Sequence, residues 1–310
     1  MGKTSRKILN SLFVSGAVVA AGIITSASTA RAAQSTVSLG TATPFAILAG
    51  TPNITDAGNA SVILGNVGLS PASGAGIGLN CSQVTGTIYS VDAAGPLPCR
   101  ITNGPLLVGA KNDLTTAYTD ASGRTPVTTV PTELGGTTKT AGVYDSASTT
   151  FGITAGAGAL VLDGQNDPSS VFIFEANFNG TGLTVGSGST VSLINGAQAC
   201  NVFWRVNTAS INTTANFKGT ILALNSISVN NGATIEGRLL ARNGNVTLNT
   251  DTITVPTCAS TTGGGSGSTS VPGLPNTGSN QNVLPLVVST LSASTAAILV
   301  MFFIRKKRTN

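Results

Sequence analysis

The sequence predicts a mainly-β protein, a three-sided β-solenoid with one long α-helix packed along one wall. Three observations lead to this fold class: a repeat of 18 residues, a single segment with helical spacing, and a composition of 38 glycines with 5% aromatic side chains in 310 residues. Glycine, asparagine and β-branched residues favour short strands and tight turns. Repeats this short bury their apolar side chains only when successive coils stack.

The repeat is clearest in residues 207–224, which are followed at once by a second copy in residues 225–242. The copies align at apolar and glycine positions: Ile211 with Val229, Phe217 with Ile235, Gly219 with Gly237, and Leu222 with Leu240. Residues 243–255 begin a third copy with a shift of one residue. Each copy holds three strand-like pieces separated by Gly and Asn, which predicts one coil with three walls.

One piece of each coil is continuously apolar, which predicts a wall that is buried on both faces. The segments of this helix-facing wall are 171–174, 202–204, 221–224 and 239–241. Its cover is a helix predicted over about 105–122, with apolar residues at helical spacing: Leu107, Ala110, Leu114, Ala117, Tyr118 and Ala121. Asn103 and Pro105 are start signals for this helix, and Gly123 is a stop signal.

A second piece of each coil is polar and predicts a solvated wall, which we call the charged wall. It contains Ser192, Lys218 and Glu236 among Thr190, Asn216 and Thr234. Such side chains are ordinary solvent-facing residues. No binding function is assigned to this wall.

The third piece alternates apolar and polar residues in segments 183–185, 209–211, 227–229 and 246–248, and it predicts what we call the uncharged wall. Alternation places a column of short polar side chains on its outer surface, with amides beside the column. The column holds Thr184, Ser210, Ser228 and Thr247, and the amides are Asn212, Asn230 and Asn249. An uncharged column suits an ordered lattice, because charged groups hold hydration water that must be removed. The same composition is also common on the solvent face of β-solenoids.

The N-terminus predicts a secretory signal peptide over residues 1–32. Lys3, Arg6 and Lys7 precede an apolar stretch at 8–27, and Ala30-Arg31-Ala32 forms a small-x-small cleavage site. The mature chain is expected to start at Ala33. The alternative is an uncleaved membrane anchor.

The C-terminus carries Leu274-Pro275-Asn276-Thr277-Gly278, an apolar run at 283–304 that predicts a transmembrane segment, and a basic tail at 305–310. This order resembles the sorting signal of Gram-positive surface proteins. The resemblance implies that sortase cuts between Thr277 and Gly278 and joins the chain to peptidoglycan. The alternative is a single-span membrane protein.

Residues 259–273 are rich in Gly, Ser and Thr and predict a flexible linker. The folded domain is therefore expected to be residues 33–258. We expect it to be secreted and anchored to the cell wall of a Gram-positive bacterium, with membrane contact only through the sorting segment.

The cysteines Cys81, Cys99, Cys200 and Cys258 all lie in the expected exported domain. An even number of cysteines in an oxidising compartment predicts disulfides, and four cysteines allow three pairings. A Cys81–Cys99 bond would close a short loop, and a Cys200–Cys258 bond would tie the last coil to the body. No Cys-x-x-Cys spacing supports redox chemistry, and no metal site or cofactor is predicted.

The charge distribution argues against nucleic-acid binding. Of 16 basic residues, 8 lie near the two ends, so that residues 33–304 carry 8 basic against 11 acidic side chains. No basic patch remains for a phosphate backbone.

No enzymatic activity is predicted. Histidine is absent, which removes the commonest general acid–base group. Glycosidase chemistry needs two carboxylates about 5–9.5 Å apart. The acidic cluster in the coil region is Asp163, Asp167 and Glu175, and residues 163–168 are interpreted as a turn between strands.

A series of segments occurs in the order typical of a known family: 39–41, 45–48, 110–118, 133–136, 141–144, 171–174, 193–204, 219–224 and 240–244. The run Cys200-Asn-Val-Phe-Trp204 is the most specific of them. On these residues the chain resembles the microbial ice-binding protein family over 36–255. The resemblance implies an irregular, discontinuous right-handed β-solenoid with one long helix alongside. It also implies adsorption to ice through one flat wall, without a cofactor.

Some members of that family carry a Thr-Ala/Gly-x-Thr/Asn motif on the ice-facing wall. Thr181-Gly-Leu-Thr184 matches this motif, whereas 208–211 and 226–229, interpreted as the equivalent places, do not. The candidate ice-facing residues are Thr181, Thr184, Ser210, Asn212, Ser228, Asn230, Thr247 and Asn249.

Two functions remain open from the sequence. The first is a wall-anchored protein that binds ice, either to inhibit recrystallisation or to adhere to it. The alternative is a wall-anchored adhesin or structural surface protein that binds a polysaccharide or another cell surface. The regular Ser/Thr column favours the first, and its mixed Ser and Asn content favours the second.

Overall fold

A computed structural model of the protein describes residues 34–176 and 182–259. The expected signal peptide, the sorting motif at 274–278, the apolar run at 283–304 and nearly all of the expected linker lie outside these residues. Within the two described ranges, no helix is both long and apolar enough to cross a membrane.

The described chain forms 23 strands and one α-helix, α1, which spans Gly104–Ser122. The strands before α1 are β1 Phe45–Ala49, β2 Ile54–Asp56, β3 Val62–Leu64, β4 Asn66–Leu69, β5 Ile77–Gly78, β6 Val84–Thr85, β7 Ile88–Ser90 and β8 Arg100–Thr102. The strands after it, up to residue 176, are β9 Val127–Val130, β10 Thr138–Thr140, β11 Gly142–Ser146, β12 Phe151–Ile153, β13 Leu160–Asp163 and β14 Phe172–Glu175. The remaining strands are β15 Leu183–Val185, β16 Val191–Ile194, β17 Val202–Val206, β18 Ala209–Ile211, β19 Asn216–Ala223, β20 Ile227–Val229, β21 Thr234–Ala241, β22 Val246–Leu248 and β23 Thr252–Thr254.

These strands pair in parallel and form the three walls of a solenoid. The helix-facing wall has the order β8-β7-β4-β1-β21-β19-β17-β14-β11-β9, and the uncharged wall has the order β12-β15-β18-β20-β22-β2-β5. The charged wall consists of β10, β13 and β16, continues through the first halves of β19 and β21, and ends in β23, β3 and β6. The predicted fold class, a β-solenoid with one helix, is thereby confirmed.

The order of the coils in space differs from their order in the chain. The first coil, β1-β2-β3, pairs with β21, β22 and β23 at the end of the C-terminal coils. Helix α1 connects the two groups of coils. It contacts both β7 and β14, which are six strand spacings apart, or about 29 Å. A helix of 19 residues is about 28 Å long, so the length of α1 matches the distance that it must cover.

The register confirms the 18-residue repeat, because Ile211 pairs with Val229 and Leu222 with Leu240. The one-residue shift of the third copy occurs at β22, where Val246 pairs with Ile227. A glycine column lies where β19 and β21 bend from the charged wall to the helix-facing wall. Gly219 has a φ of +111°, and a Cβ at Gly237 would collide with the carbonyl oxygen of Gly219. Both positions therefore require glycine.

Two hydrophobic cores hold the fold together, one inside the solenoid and one under α1. In the inner core, Trp204 stacks on Phe174 with ring centroids 4.1 Å apart, and its indole Nε1 donates to the Lys218 carbonyl oxygen at 3.1 Å. In the outer core, the six predicted apolar residues of the helix are buried against the helix-facing wall: Leu107, Ala110, Leu114, Ala117, Tyr118 and Ala121.

Two disulfides are formed, between Cys81 and Cys99 and between Cys200 and Cys258. Each joins Cα atoms 5.6 Å apart. The sequence leaves three pairings open. The structure has the one in which each cysteine bonds to its neighbour in the order of the chain. The Cys200–Cys258 bond attaches the segment after β23 to the turn before β17.

Candidate binding surface

The seven strands of the uncharged wall align one central position each into a single column. In spatial order, the column is Gly152, Thr184, Ser210, Ser228, Thr247, Thr55 and Gly78. In most of these strands both neighbours of the central residue are buried, so the central side chains face solvent. Six strand spacings make the column about 29 Å long. The surface is therefore narrow, straight and regular.

The four predicted column residues, Thr184, Ser210, Ser228 and Thr247, are brought together in register. Thr181 lies outside the described residues. Sequence reasoning missed Thr55, which continues the column beyond Thr247. The alternation in Ile54–Asp56 is a weak signal for a strand, and its place depends on the discontinuous order of the coils.

Amide side chains form ladders beside the column. Asn230 Nδ2 donates to Asn212 Oδ1 at 2.8 Å, which places these two predicted residues next to each other. On the other side, the Ser226 hydroxyl donates to Asn245 Oδ1 at 2.6 Å. The third predicted amide, Asn249, is half-buried at the corner after β22. These bonds run along the solenoid axis and hold the amides in fixed orientations.

Most hydroxyls of the column have no protein partner. The side-chain oxygens of Thr184, Ser228, Thr247 and Thr55 make no hydrogen bond to any residue of 34–176 or 182–259. Ser210 makes one long contact, at 3.5 Å to Asn212. The column therefore offers donors and acceptors to whatever lies on the wall.

Charge is nearly absent from this wall. Within the seven strands the charged residue is Asp56, which is 5% exposed and faces inward. Glu133 lies at one end of the wall, where its backbone forms an isolated parallel β-bridge with Gly152. Its carboxylate accepts from the backbone N–H of Gly135 at 2.6 Å and from both the N–H and the hydroxyl of Thr154. Burial opposes ionisation of Glu133, but these hydrogen bonds outweigh it and lower its pKa. The uncharged surface thus ends at a carboxylate.

The register corrects the predicted positions of the family motif. Leu183 pairs with Ala209, and a Cβ at Gly182 would collide with the backbone of Thr208. The segment equivalent to 181–184 is therefore 207–210, not 208–211, and in the next coil it is 225–228, not 226–229. The error arose because Thr184 pairs with Ser210, which is 26 positions later in the chain, so the 18-residue spacing does not hold across this coil. In the true register the segments begin with Asn and end with Ser.

The acidic residues considered for catalysis are divided between a turn and the helix-facing wall. Asp163 and Asp167 cap a turn, since Asp163 accepts from Gln165 N at 2.8 Å and Asp167 from Ser169 N at 2.8 Å. Glu175 lies on the helix-facing wall instead. No group of three or more Cys, Asp or Glu side chains in the described part of the chain could hold a metal ion.

Glu175 lies between an acidic and a basic residue on the helix-facing wall. It is in register with Asp145 on one side and Arg205 on the other. Burial raises the pKa of Glu175 to about 7; Asp145 adds to this rise, and Arg205 opposes it. The group is a partly buried carboxyl in a row of charges, away from the uncharged wall.

A family model described as ice-binding-like matches residues 47–254. An ice-binding protein of Colwellia sp is 40% identical over 191 residues, which cover 60% of this chain and 71% of that protein. An ice-binding protein of Flavobacterium frigoris (strain PS1) is also 40% identical over 191 residues, covering 60% of this chain and 65% of that protein. The crystal structure of an ice binding protein from an Antarctic biological consortium superposes with a TM-score of 0.63 at 36% identity, covering 73% of this chain and 94% of that one. The chain therefore belongs to the ice-binding-like family.

Proposed function

We propose that this protein binds ice by adsorption through the uncharged wall. The observation that carries the proposal is the column of unbonded hydroxyls at Thr184, Ser228, Thr247 and Thr55 on a wall whose seven strands carry no exposed charge. Such groups can exchange hydrogen bonds with water on a lattice at little cost, because no charged side chain must lose its hydration shell. Adsorption breaks no covalent bond, so it needs neither a catalytic residue nor a cofactor.

The rigidity of the wall supports the proposal. Every strand is paired on the solenoid, and the amide ladders at Asn212–Asn230 and Ser226–Asn245 restrain side chains that would otherwise lose entropy on binding. The relatives that match the solenoid are named as ice-binding proteins.

The test compares residues 33–261 of the wild type with a triple variant, Ser210→Tyr, Ser228→Tyr and Thr247→Tyr. The solenoid is expected to fold alone, because it accounts for 94% of the chain in a solved relative. The measurements are ice recrystallisation inhibition and thermal hysteresis, with circular dichroism as the check on folding. We expect activity in the wild type and none in the triple variant, because three bulky rings lift the wall off the lattice.

The matched control places three tyrosines on the charged wall, as Ser192→Tyr, Thr234→Tyr and Thr252→Tyr. This control should keep the activity of the wild type. If the triple variant of the uncharged wall stays active, the ice contact lies elsewhere on the protein. A folded wild type without activity would favour the alternative, an adhesin that binds a polysaccharide or another cell surface.

The chain is further proposed to be exported and anchored to the cell wall of a Gram-positive bacterium. The basis is sequence alone: the leader at 1–32, the linker, Leu274-Pro275-Asn276-Thr277-Gly278, the apolar run at 283–304 and the basic tail. Sortase and peptidoglycan are the implied partners, and the anchor would hold the uncharged wall outside the cell.

Anchoring is tested by fractionating a sortase-positive host that expresses the full chain. The wild type and a linker control, Ser270→Ala, should appear in the wall fraction released by muramidase. Thr277→Ala should leave the chain in the membrane fraction. Equal membrane retention of all three would contradict wall anchoring and favour a single-span membrane protein.

A further inference from the structure

A cleft of about 600 Å³ lies between the segment before β1 and the segment after β23. None of its lining residues belongs to the uncharged wall. The lining is largely apolar and includes Leu39, Phe203, Val255 and Pro256. A concave surface of this size and composition is typical of a site for a small organic molecule.

Arg238 lines this cleft although the residue is only 5% exposed. Its Nε donates to the Thr43 carbonyl oxygen at 2.8 Å, and its Nη1 donates to Thr220 Oγ1 at 3.3 Å. Its Nη2 donates to no atom of the described residues. This nitrogen is not fully buried, so it remains accessible from outside. The free edge of the guanidinium therefore faces the cleft.

The positive charge of Arg238 has no counter-ion in the described part of the chain. Ion pairs within 4.0 Å there are Arg124–Asp120 and Lys218–Glu236. Burial lowers the pKa of Arg238 to about 10, and no neighbouring charge contributes to the shift. The guanidinium is thus still charged at neutral pH. A buried charge with neutral partners is costly, so an anion that reaches it gains a strong interaction.

Another buried arginine, Arg205, has neighbours that offset the unfavourable burial of its charge. Arg205 is 3% exposed, lies over the ring of Tyr118 at 4.5 Å, and is in register with Glu175. Arg238 has no such ring or carboxylate beside it among the interactions of the described chain.

We propose that the Arg238 cleft binds a small organic carboxylate that has an apolar body. A guanidinium edge matches the two oxygens of a carboxylate, which would pair with Nη2 and the free N–H of Nη1. The apolar body would pack on Phe203, Val255 and Pro256. Inorganic phosphate presents oxygen on every side and gains nothing from this lining.

The experiment titrates sodium benzoate into residues 33–261 and follows the side-chain N–H signals of arginine by NMR at constant ionic strength. We expect a saturating shift of one arginine signal with a Kd on the order of 1 mM, as is usual for a ligand of this size. Benzamide has the same shape without the charge, and inorganic phosphate has charge without the ring. Neither should saturate the site below a concentration about ten times higher.

Two variants test the assignment. Arg238→Gln keeps an amide that can donate to the Thr43 carbonyl but removes the charge, and Ser38→Trp fills the cleft from an exposed lining position without changing Arg238. Both should weaken benzoate binding at least about ten-fold. If Arg238→Gln does not fold, Ser38→Trp alone decides. The proposal is overturned by the absence of a saturating shift, by equal binding of benzamide or phosphate, or by unchanged binding in a folded variant. None of these outcomes bears on ice adsorption, because the cleft and the uncharged wall share no residue.

Discussion

Asp56 and Asp251 are two carboxylates buried at the corner where the uncharged wall turns into the charged wall. Asp56 accepts from Ser61 N at 2.9 Å, Gln83 Nε2 at 2.6 Å and Thr250 N at 3.1 Å. Burial opposes its ionisation, but these hydrogen bonds outweigh burial and lower its pKa. Asp56 is therefore the member of the pair that ionises first as the pH rises.

Asp251 is the member of the pair that is harder to ionise. It accepts from Ala233 N at 2.9 Å and Asn249 N at 2.8 Å. Burial, with a contribution from the Asp56 charge, nevertheless raises its pKa to about 6. The folded state thus binds this proton more tightly than the unfolded chain does. The resulting stabilisation is complete below the ordinary pKa of 3.8 and is lost as the pH rises through about 6.

Asp251→Asn should therefore flatten the dependence of stability on pH. A pKa rise from 3.8 to about 6 corresponds to about 3 kcal/mol in the free energy of unfolding. Relative to the wild type, the variant should gain up to about this amount between pH 4 and pH 8, because asparagine cannot ionise. Urea unfolding at the two pH values measures the difference. Parallel pH curves for the two proteins would show that Asp251 does not titrate in this range.

Helix α1 is the element that joins the two groups of coils, and it is fixed at its start and along its length. Asn103 Oδ1 accepts from Leu106 N at 3.1 Å, which caps the helix as the sequence predicts. Lys111 Nζ donates to the carbonyl oxygens of Ala241 at 2.7 Å and Arg242 at 2.5 Å. Burial lowers the pKa of Lys111 to about 7, and the neighbouring Arg242 charge adds to this effect. The helix therefore holds the end of β21 as well as covering the wall.

Asn103→Ala should lower the free energy of unfolding by about 1 kcal/mol, because the Leu106 N–H loses its acceptor at the helix start. Asn103→Asp should keep most of the stability, since a carboxylate accepts the same hydrogen bond and interacts well with the helix N-terminus. Thermal or urea unfolding distinguishes the two variants. Equal losses in both would mean that the amide group of Asn103 acts through a contact other than the cap.

At the scale of the whole molecule, the two disulfides close loops of different length. The Cys81–Cys99 bond spans 18 residues and the Cys200–Cys258 bond spans 58 residues. Chain-entropy arguments assign about 3 kcal/mol to the shorter loop and about 4 kcal/mol to the longer one. The longer bond also retains the segment after β23, which lines the Arg238 cleft.

Replacing Cys200 and Cys258 by serine should therefore cost about 1 kcal/mol more than replacing Cys81 and Cys99. Urea unfolding of the two double variants under oxidising conditions measures both losses. The order would reverse if residues 81–99 depended on their disulfide for folding as well as for chain entropy.

Much of the fold follows from the sequence, because its strongest signals come from segments that are neighbours in the chain. Residues 207–224 and 225–242 stack directly on each other, so one alignment predicts the period, the three walls and the column at Ser210 and Ser228. The helix could likewise be predicted from its cap at Asn103 and its apolar spacing, which are local features. The sequence alone also supports the expected export and anchoring signals at the two ends.

The tertiary structure decided what depends on segments far apart in the chain. Thr55 joins the candidate surface because Ile54–Asp56 pairs with β22, and the register of Leu183–Val185 depends on its pairing with Ala209–Ile211. Arg238 lies in an ordinary-looking repeat, and its unpaired charge appears only when the segment around Thr43 closes over it. Periodicity records local stacking, whereas burial and charge compensation depend on every segment that comes close in space.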